Sequence, residues 1–293
     1  MKMMILHNLL DLEEVKIISR PSKICKTPYV ADIQLKDGSI VQAHSASLGC
    51  CGLCEKDCIV LASPILSNSE NSKSKVCSYK IYLLSIYEEK IINESKFINN
   101  QIIGIDPKLA ETLVNNAILN NCFEKLQNVK KLRREIKLGN SRFDFGGIDN
   151  NNKYFVLEVK NVPLADYVDC DNKSRKKMNF DNIEPLNKIS YFPDGYRKNS
   201  TAVVSPRALK HIQELEEIAK SDKVRAILCF VIQRTDVSHF QTSNIDLTYK
   251  EAVYKAWQNG VEIKTIQVSW RENGACYFVS NSLPISLKNG EFI

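Results

Sequence analysis

The sequence predicts two domains of different class: a small β-barrel over residues 1–100 and an α/β domain with a mixed central sheet over 101–293. Three features carry that reading. Short β-branched and aromatic runs recur five times within the first hundred residues, which fits a small barrel. From residue 103 onward the order is helix, three strands, helix, strand. The run Arg-Ala-Ile-Leu-Cys-Phe-Val-Ile-Gln (225–233) is almost continuously apolar, as in a strand buried on both faces.

The barrel strands are expected at 14–19, 29–35, 39–44, 58–62 and 78–87. Lys36, Asp37 and Gly38 separate the second and third and form a hairpin signal. Residues 67–75 read as a polar, mobile loop. The opening stretch 1–14 is briefly apolar, then meets His7, Asn8 and a run of acids, with no small-residue exit. It is expected to be a short amphipathic helix and not a signal peptide. In the second domain Asp106 and Pro107 supply an N-cap and a first helical position for a helix over 108–119. Strands follow at 132–138, 141–148 and 154–161, then a polar loop or insertion over 164–190. Ser205 and Pro206 start a helix whose Ala208, Leu209, Ile212, Leu215 and Ala219 share a face. Asp246 caps a helix ending near Gly260, and 261–268 returns as a strand. No internal repeat is visible.

Composition narrows the class. Hydrophobic content of 44% and charged content of 25% are ordinary globular values, so a sizeable core is expected. No run of about 18 apolar residues occurs, and no membrane span is expected. A net charge of +6 permits an acidic partner such as nucleic acid without demanding one. The ten cysteines are scattered through a large chain, unlike a small disulfide scaffold; a reducing, cytoplasmic setting fits.

The chemistry concentrates at Asp144, Glu158 and Lys160. Folding 141–161 as a hairpin about Asn151 sets Asp144 opposite Glu158, with Cβ atoms about 5 Å apart. Alternation puts Arg142, Asp144, Glu158 and Lys160 on one face and Phe143, Phe145, Phe155, Leu157 and Val159 on the other. Paired carboxylates suit a hard cation such as Mg²⁺, which keeps several waters and needs few protein oxygens. A nearby amine can orient an attacking water or neutralise developing charge. An exposed ion pair on a sheet face gives the same local pattern and contributes little.

Longer motifs resemble the sugar fermentation stimulation protein family. They are Leu-Arg-Arg-Glu-Ile-Lys-Leu-Gly-Asn-Ser-Arg-Phe-Asp-Phe (132–145), Leu-Glu-Val-Lys-Asn-Val (157–162), Tyr-Phe-Pro-Asp (191–194) and Lys-His-Ile-Gln-Glu-Leu (210–215). Tyr-Val-Ala-Asp-Ile (29–33) and Gln-Ala-His-Ser (42–45) extend the likeness over nearly the whole chain. The resemblance implies an N-terminal OB-fold joined to a PD-(D/E)xK nuclease-like domain, nucleic-acid binding, and DNA/RNA nuclease activity. It implies that Asp144 and Glu158 hold Mg²⁺ or Mn²⁺, helped by the Val159 carbonyl. Lys160 then positions or activates water, and Glu135 orients Lys160 or a second metal. The helix at 206–220 would lie beside the metal, placing Arg207 and Lys210 on phosphates; Arg142 would join them. His211, at the margin of that helix's polar stripe, reads as a structural hydrogen-bonder. One departure stands out: by alignment, Asn116 falls where the family has a helix glutamate, with Glu111 on a different helix face.

Two further groups have competing readings. Lys130, Lys131, Arg133, Arg134 and Lys137 cluster before the site, and Lys173, Arg175, Lys176 and Lys177 follow it; either cluster could neutralise phosphates or simply be solvated. Tyr29 in the barrel could stack on a base. Cys51 and Cys54 have zinc-like spacing beside Cys50 and Cys58, but no second pair completes a site, and free thiols are expected. The sequence therefore predicts a metal-dependent DNA or RNA nuclease. The rival is a non-catalytic DNA-binding or regulatory protein that kept the fold. No sugar-site pattern supports a sugar-metabolising enzyme.

Overall fold

The computed structural model describes residues 4–46, 53–65, 77–193, 203–221, 223–288 and 291–293. Its elements run β1 (Ile5–Asn8), β2 (Glu13–Ser19), β3 (Val30–Gln34), β4 (Ile40–Ser45), β5 (Ile59–Pro64), β6 (Tyr79–Ile92), β7 (Ser95–Gly104) and α1 (Pro107–Leu119). There follow β8 (Lys131–Leu138), β9 (Ser141–Ile148), β10 (Tyr154–Val162), β11 (Ala165–Asp166), α2 (Asn172–Arg175), β12 (Lys188–Phe192) and α3 (Pro206–Ala219). The chain ends with β13 (Val224–Ile232), β14 (Val237–Thr242), α4 (Leu247–Gln258), β15 (Glu262–Trp270), β16 (Ala275–Ser280), β17 (Ile285–Lys288) and β18 (Glu291–Phe292).

The N-terminal strands form one sheet in the order β4-β3-β2-β5-β6-β7, and β4 also pairs in parallel with β6. Alternating Val15, Ile17, Ala31, Ile33, Val60 and Ile81 fill its core. The turn at Lys36–Gly38 joins β3 to β4, with Gly38 at φ 86°, where a side chain would be strained. Five of the six strands follow the sequence pattern. The sixth, β7, is hidden by its polar residues, because it is an edge strand that extends the long β6. The loop expected at 67–75 lies outside the described residues.

The central sheet has seven strands in the order β1-β16-β15-β13-β10-β9-β8. β10, β13 and β15 are mutually parallel neighbours and the outer pairings are antiparallel, so the sheet is mixed as expected. The apolar run in β13 is buried on both faces. Ile227, Cys229 and Val231 pack with α1, while Leu228, Phe230 and Ile232 pack with α3 and α4. The three long helices start on their expected caps: Asp106, Ser205 and Asp246 each accept a backbone N–H from the first turn.

Three expectations change. The described opening residues, from Met4 on, form no helix: β1 pairs antiparallel with β16 at the edge of the central sheet. The spacing of Leu6 and Leu9 imitates a helix, but both side chains are buried in the core beside α1. Residues 164–190 are more than a loop, since β11 and β12 enter a third sheet, β11-β12-β14-β17-β18. Part of their polarity is internal: Lys188 is buried between Glu88 (2.5 Å) and Asp236 (3.1 Å). Finally, Phe143 and Phe145 do not share a face. Phe145 packs on the α1 side, and Phe143 packs with Val156 and Ile212 on the α3 side.

The N-terminal sheet is joined closely to the rest. Lys80 pairs with the α1 cap Asp106 at 2.5 Å, and Asn99 donates to Asp236 at 2.8 Å. Gly104 is needed for the contact of β7 with the central sheet: a Cβ there would fall 2.3 Å from Gln233 Oε1.

Candidate metal centre

The hairpin register agrees with the sequence reading. Phe145 pairs with Leu157 and Gly147 with Phe155, which carries Asp144 opposite Glu158 at the next step. There the β9–β10 ladder ends. The Asp144 carboxylate accepts the Val159 backbone N–H at 2.7 Å, so the side chain bends back onto the neighbouring strand. That bend accompanies the change of face between Phe143 and Phe145.

Glu158 is 3% exposed and lies under α3 instead of on an open sheet face. Its Oε1 accepts from Lys160 Nζ at 2.5 Å and also contacts Nδ1 of His211. Its Oε2 is buried and has no protein partner. A buried carboxylate oxygen with no donor is costly unless something fills the place.

The two carboxyls are driven apart in acidity. Burial raises Asp144 to about 6, and the nearby charge of Glu158 adds to this, outweighing the Val159 N–H. Burial would raise Glu158 too, but the His211 hydrogen bond and Lys160 hold it below its ordinary value. Glu158 is thus a fixed anion next to a carboxyl that ionises with more difficulty than usual.

Other predicted residues fall in different places. The Val159 side chain is buried in the core on the α1 side. Glu135 stands opposite Asp144 on β8, at φ 55°, but its carboxylate is exposed and meets Arg142 at 3.5 Å; Lys160 is engaged by Glu158 instead. Arg133 and Arg134 are exposed on β8, the edge of the central sheet. Arg207 and Lys210 are exposed on α3, with Lys210 3.7 Å from Glu214. Tyr29 is 41% exposed just before β3 in the N-terminal sheet. Cys54 is buried in that sheet's core and Cys58 packs against it, whereas Cys50 and Cys51 lie outside the described residues. Among the described residues no three His, Cys, Asp or Glu side chains are grouped closely enough to form a complete metal cage.

On α1, Asn116 and Glu111 are engaged differently. Asn116 Nδ2 donates to the Leu6 carbonyl of β1 at 2.7 Å. Glu111 is the α1 acid whose charge acts on Asp144, and Arg134 holds it at 3.2 Å. The contact of His211 with Glu158 was also not readable beforehand. Its one sequence signal is the position of His211 between Ala208 and Ile212, on the buried side of α3.

Fold and site together define a mixed-sheet α/β protein with an acidic pair, one member buried and one half-buried, and a lysine in its central sheet. The chain belongs to the sugar fermentation stimulation protein family: residues 108–274 match the family's "Sugar fermentation stimulation protein RE domain". That span runs from the first turn of α1 to the turn between β15 and β16. A sugar fermentation stimulation protein homolog of Geotalea daltonii is 30% identical over 242 residues, 82% of this chain and 84% of the relative. The Alcanivorax borkumensis homolog is 26% identical over 282 residues, 94% of this chain and 98% of its own. In fold, the chain is similar to Pyrococcus furiosus SfsA, solved in complex with Ca²⁺. The TM-score is 0.71 at 18% identity, covering 97% of this chain and 99% of that one. No described helix is long and apolar enough to cross a membrane.

Proposed function

We propose that this chain is a metal-dependent nuclease that hydrolyses phosphodiester bonds of DNA or RNA, with the N-terminal sheet acting as an OB-fold and the second part as a PD-(D/E)xK domain. The observation that carries the reading is the unpartnered, buried Oε2 of Glu158 beside the raised carboxyl of Asp144. Two oxygen donors lacking a cation are what an Mg²⁺ or Mn²⁺ site needs. The chemistry of the donors therefore fits the group. Asp144 and Glu158 would hold it, with the Val159 carbonyl beside them and Glu111 as a third acid approaching from α1. The Ca²⁺ bound by the Pyrococcus furiosus protein is a cation of the same class.

When bound, such a cation supplies Lewis acidity, lowering the pKa of water and offsetting phosphoryl charge. The chain's own residues do the rest. Lys160, with its amine held against Glu158, brings a positive charge to the place where negative charge develops on phosphate, or orients the water. Glu135 carries a further carboxylate at the rim. Arg133, Arg134, Arg142, Arg207 and Lys210 offer exposed cations for phosphates, and Tyr29 offers a ring to a base.

The test uses labelled single- and double-stranded DNA and RNA with Mn²⁺ or EDTA. Asp144→Asn and Glu158→Gln keep side-chain shape but remove anionic oxygen, and should abolish Mn²⁺-dependent cleavage and weaken metal binding. Lys160→Ala should abolish cleavage while metal still binds; loss of one such contact commonly costs about a hundredfold or more. If wild-type and Glu158→Gln proteins cut equally, the activity lies elsewhere and a non-catalytic DNA-binding role replaces this reading.

A further inference from the structure

The hydrogen bonds on Glu158 are all on one side. Oε1 meets two nitrogens, Lys160 Nζ and His211 Nδ1, and Oε2 meets none. An ionised carboxylate only accepts, so His211 must carry its proton on Nδ1 in this contact. The imidazole is itself held firmly. His211 is 6% exposed, its helix packs Ala208, Ile212 and Leu215 into the core, and its ring sits 6.2 Å from that of Phe143.

We propose that His211 is a positioning residue that fixes the Glu158 carboxylate through Oε1 and so presents Oε2 as the oxygen for a divalent cation. This rests on the metal-dependent reading above. Lys160 alone cannot do this work. It lies on the same strand as Glu158, its stem is flexible, and in the proposed reaction its amine turns to phosphate or water. At that moment one donor would remain on Oε1, and it comes from α3. The packing of α3 on the sheet thereby determines the geometry of the cation site. Ligands held by such outer partners bind more tightly, and removing the partner typically weakens metal affinity about 10–100-fold.

The experiment is Mn²⁺ titration by calorimetry on the full chain without nucleic acid, for wild type, His211→Ala and His211→Asn, with a melting temperature for each. Asn places its amide nitrogen near the position of Nδ1. The expected result is a loss of about 10–100-fold in Mn²⁺ affinity for His211→Ala, with most of it restored in His211→Asn. The inference fails alone if wild type and His211→Ala bind Mn²⁺ equally. It also fails if both variants lose affinity to the same extent and their melting temperatures fall together, since that is the mark of lost packing. A wild type that binds no Mn²⁺ overturns the metal-dependent reading itself, and this inference with it.

Discussion

Glu111 on α1 lies within electrostatic reach of Asp144 on β9, adding to the burial and the Glu158 charge that lift the Asp144 carboxyl to about 6. Glu111 is not grouped with the acidic pair itself: Arg134 holds its carboxylate at 3.2 Å. Asn116, on the same helix, instead fastens β1 through the Leu6 carbonyl.

That division predicts opposite phenotypes. Glu111→Gln should reduce Mn²⁺-dependent cleavage by about tenfold or more, as loss of a supporting carboxylate does, with little change in melting temperature. Asn116→Ala should leave cleavage unchanged and cost about 1 kcal/mol, a typical net hydrogen bond. Gel assays and thermal melts of both variants decide it. Cleavage lost in Asn116→Ala and kept in Glu111→Gln would give the supporting role to Asn116 instead.

The raised Asp144 carboxyl also fixes a pH dependence. Its native pKa, about 6, lies above the ordinary 3.8, so the folded protein binds this proton more tightly than the unfolded chain. Stability from this group is therefore full below about pH 4 and lost as pH rises through about 6. Two units correspond to roughly 3 kcal/mol. Denaturant titrations of wild type and Asp144→Asn should give a stability difference that falls by about that much across the window. Mn²⁺ affinity of the wild type should rise over the same range. A difference that stays flat with pH would mean that Asp144 ionises normally.

The exposed cations of β8 predict how binding responds to salt. Arg133 and Arg134 lie on the sheet edge, and Arg134 is tied to Glu111 and to the face of Phe145. Arg133→Glu should therefore weaken nucleic-acid binding through charge alone and lower the log–log salt slope by about 1, the value of one phosphate contact. Arg134→Glu should additionally disturb metal binding, because it repels Glu111. Binding that does not vary with salt would remove the phosphate contacts from β8.

Much of this was legible in the sequence because local rules agreed with the fold. The caps Asp106, Ser205 and Asp246, the buried run of β13 and the register that sets Asp144 opposite Glu158 each follow from a few neighbouring residues. What was hidden depends on residues far apart in the chain. β1 finds its partner at β16, near the other end of the chain. His211 reaches Glu158 across 53 positions. The segment 164–190 looked like a solvated loop because charged side chains read as surface, yet two of its charges, Asp169 and Lys188, are buried against distant partners.

The strongest of those buried groupings makes the last prediction. Asp236 is fully buried and accepts both Nε and Nη2 of Arg234 at 2.6 Å, Lys188 Nζ at 3.1 Å and Asn99 Nδ2 at 2.8 Å. Lys188 also reaches Glu88 of β6, so the cluster joins the N-terminal sheet to β12 and to the turn after β13. Burial would raise the Asp236 carboxyl, but the Arg234 guanidinium and its charge outweigh that and hold it below its ordinary value. Its stabilising effect is therefore present at neutral pH and lost only as pH falls below the usual aspartate range. Asp236→Ala leaves the buried Arg234 without its anion and Lys188 with Glu88 alone. Breaking a buried pair in this way costs about 3–5 kcal/mol. Lys188→Met should cost less, because Asp236 keeps Arg234 and Asn99, and Glu88 keeps the Tyr167 hydroxyl. Hydrogen exchange should show where the effect falls: in Asp236→Ala the amides of β6 and β7 should lose protection before those of β10 and β13. Equal loss throughout both sheets would mean that the cluster supports the whole fold, not the junction between its two parts.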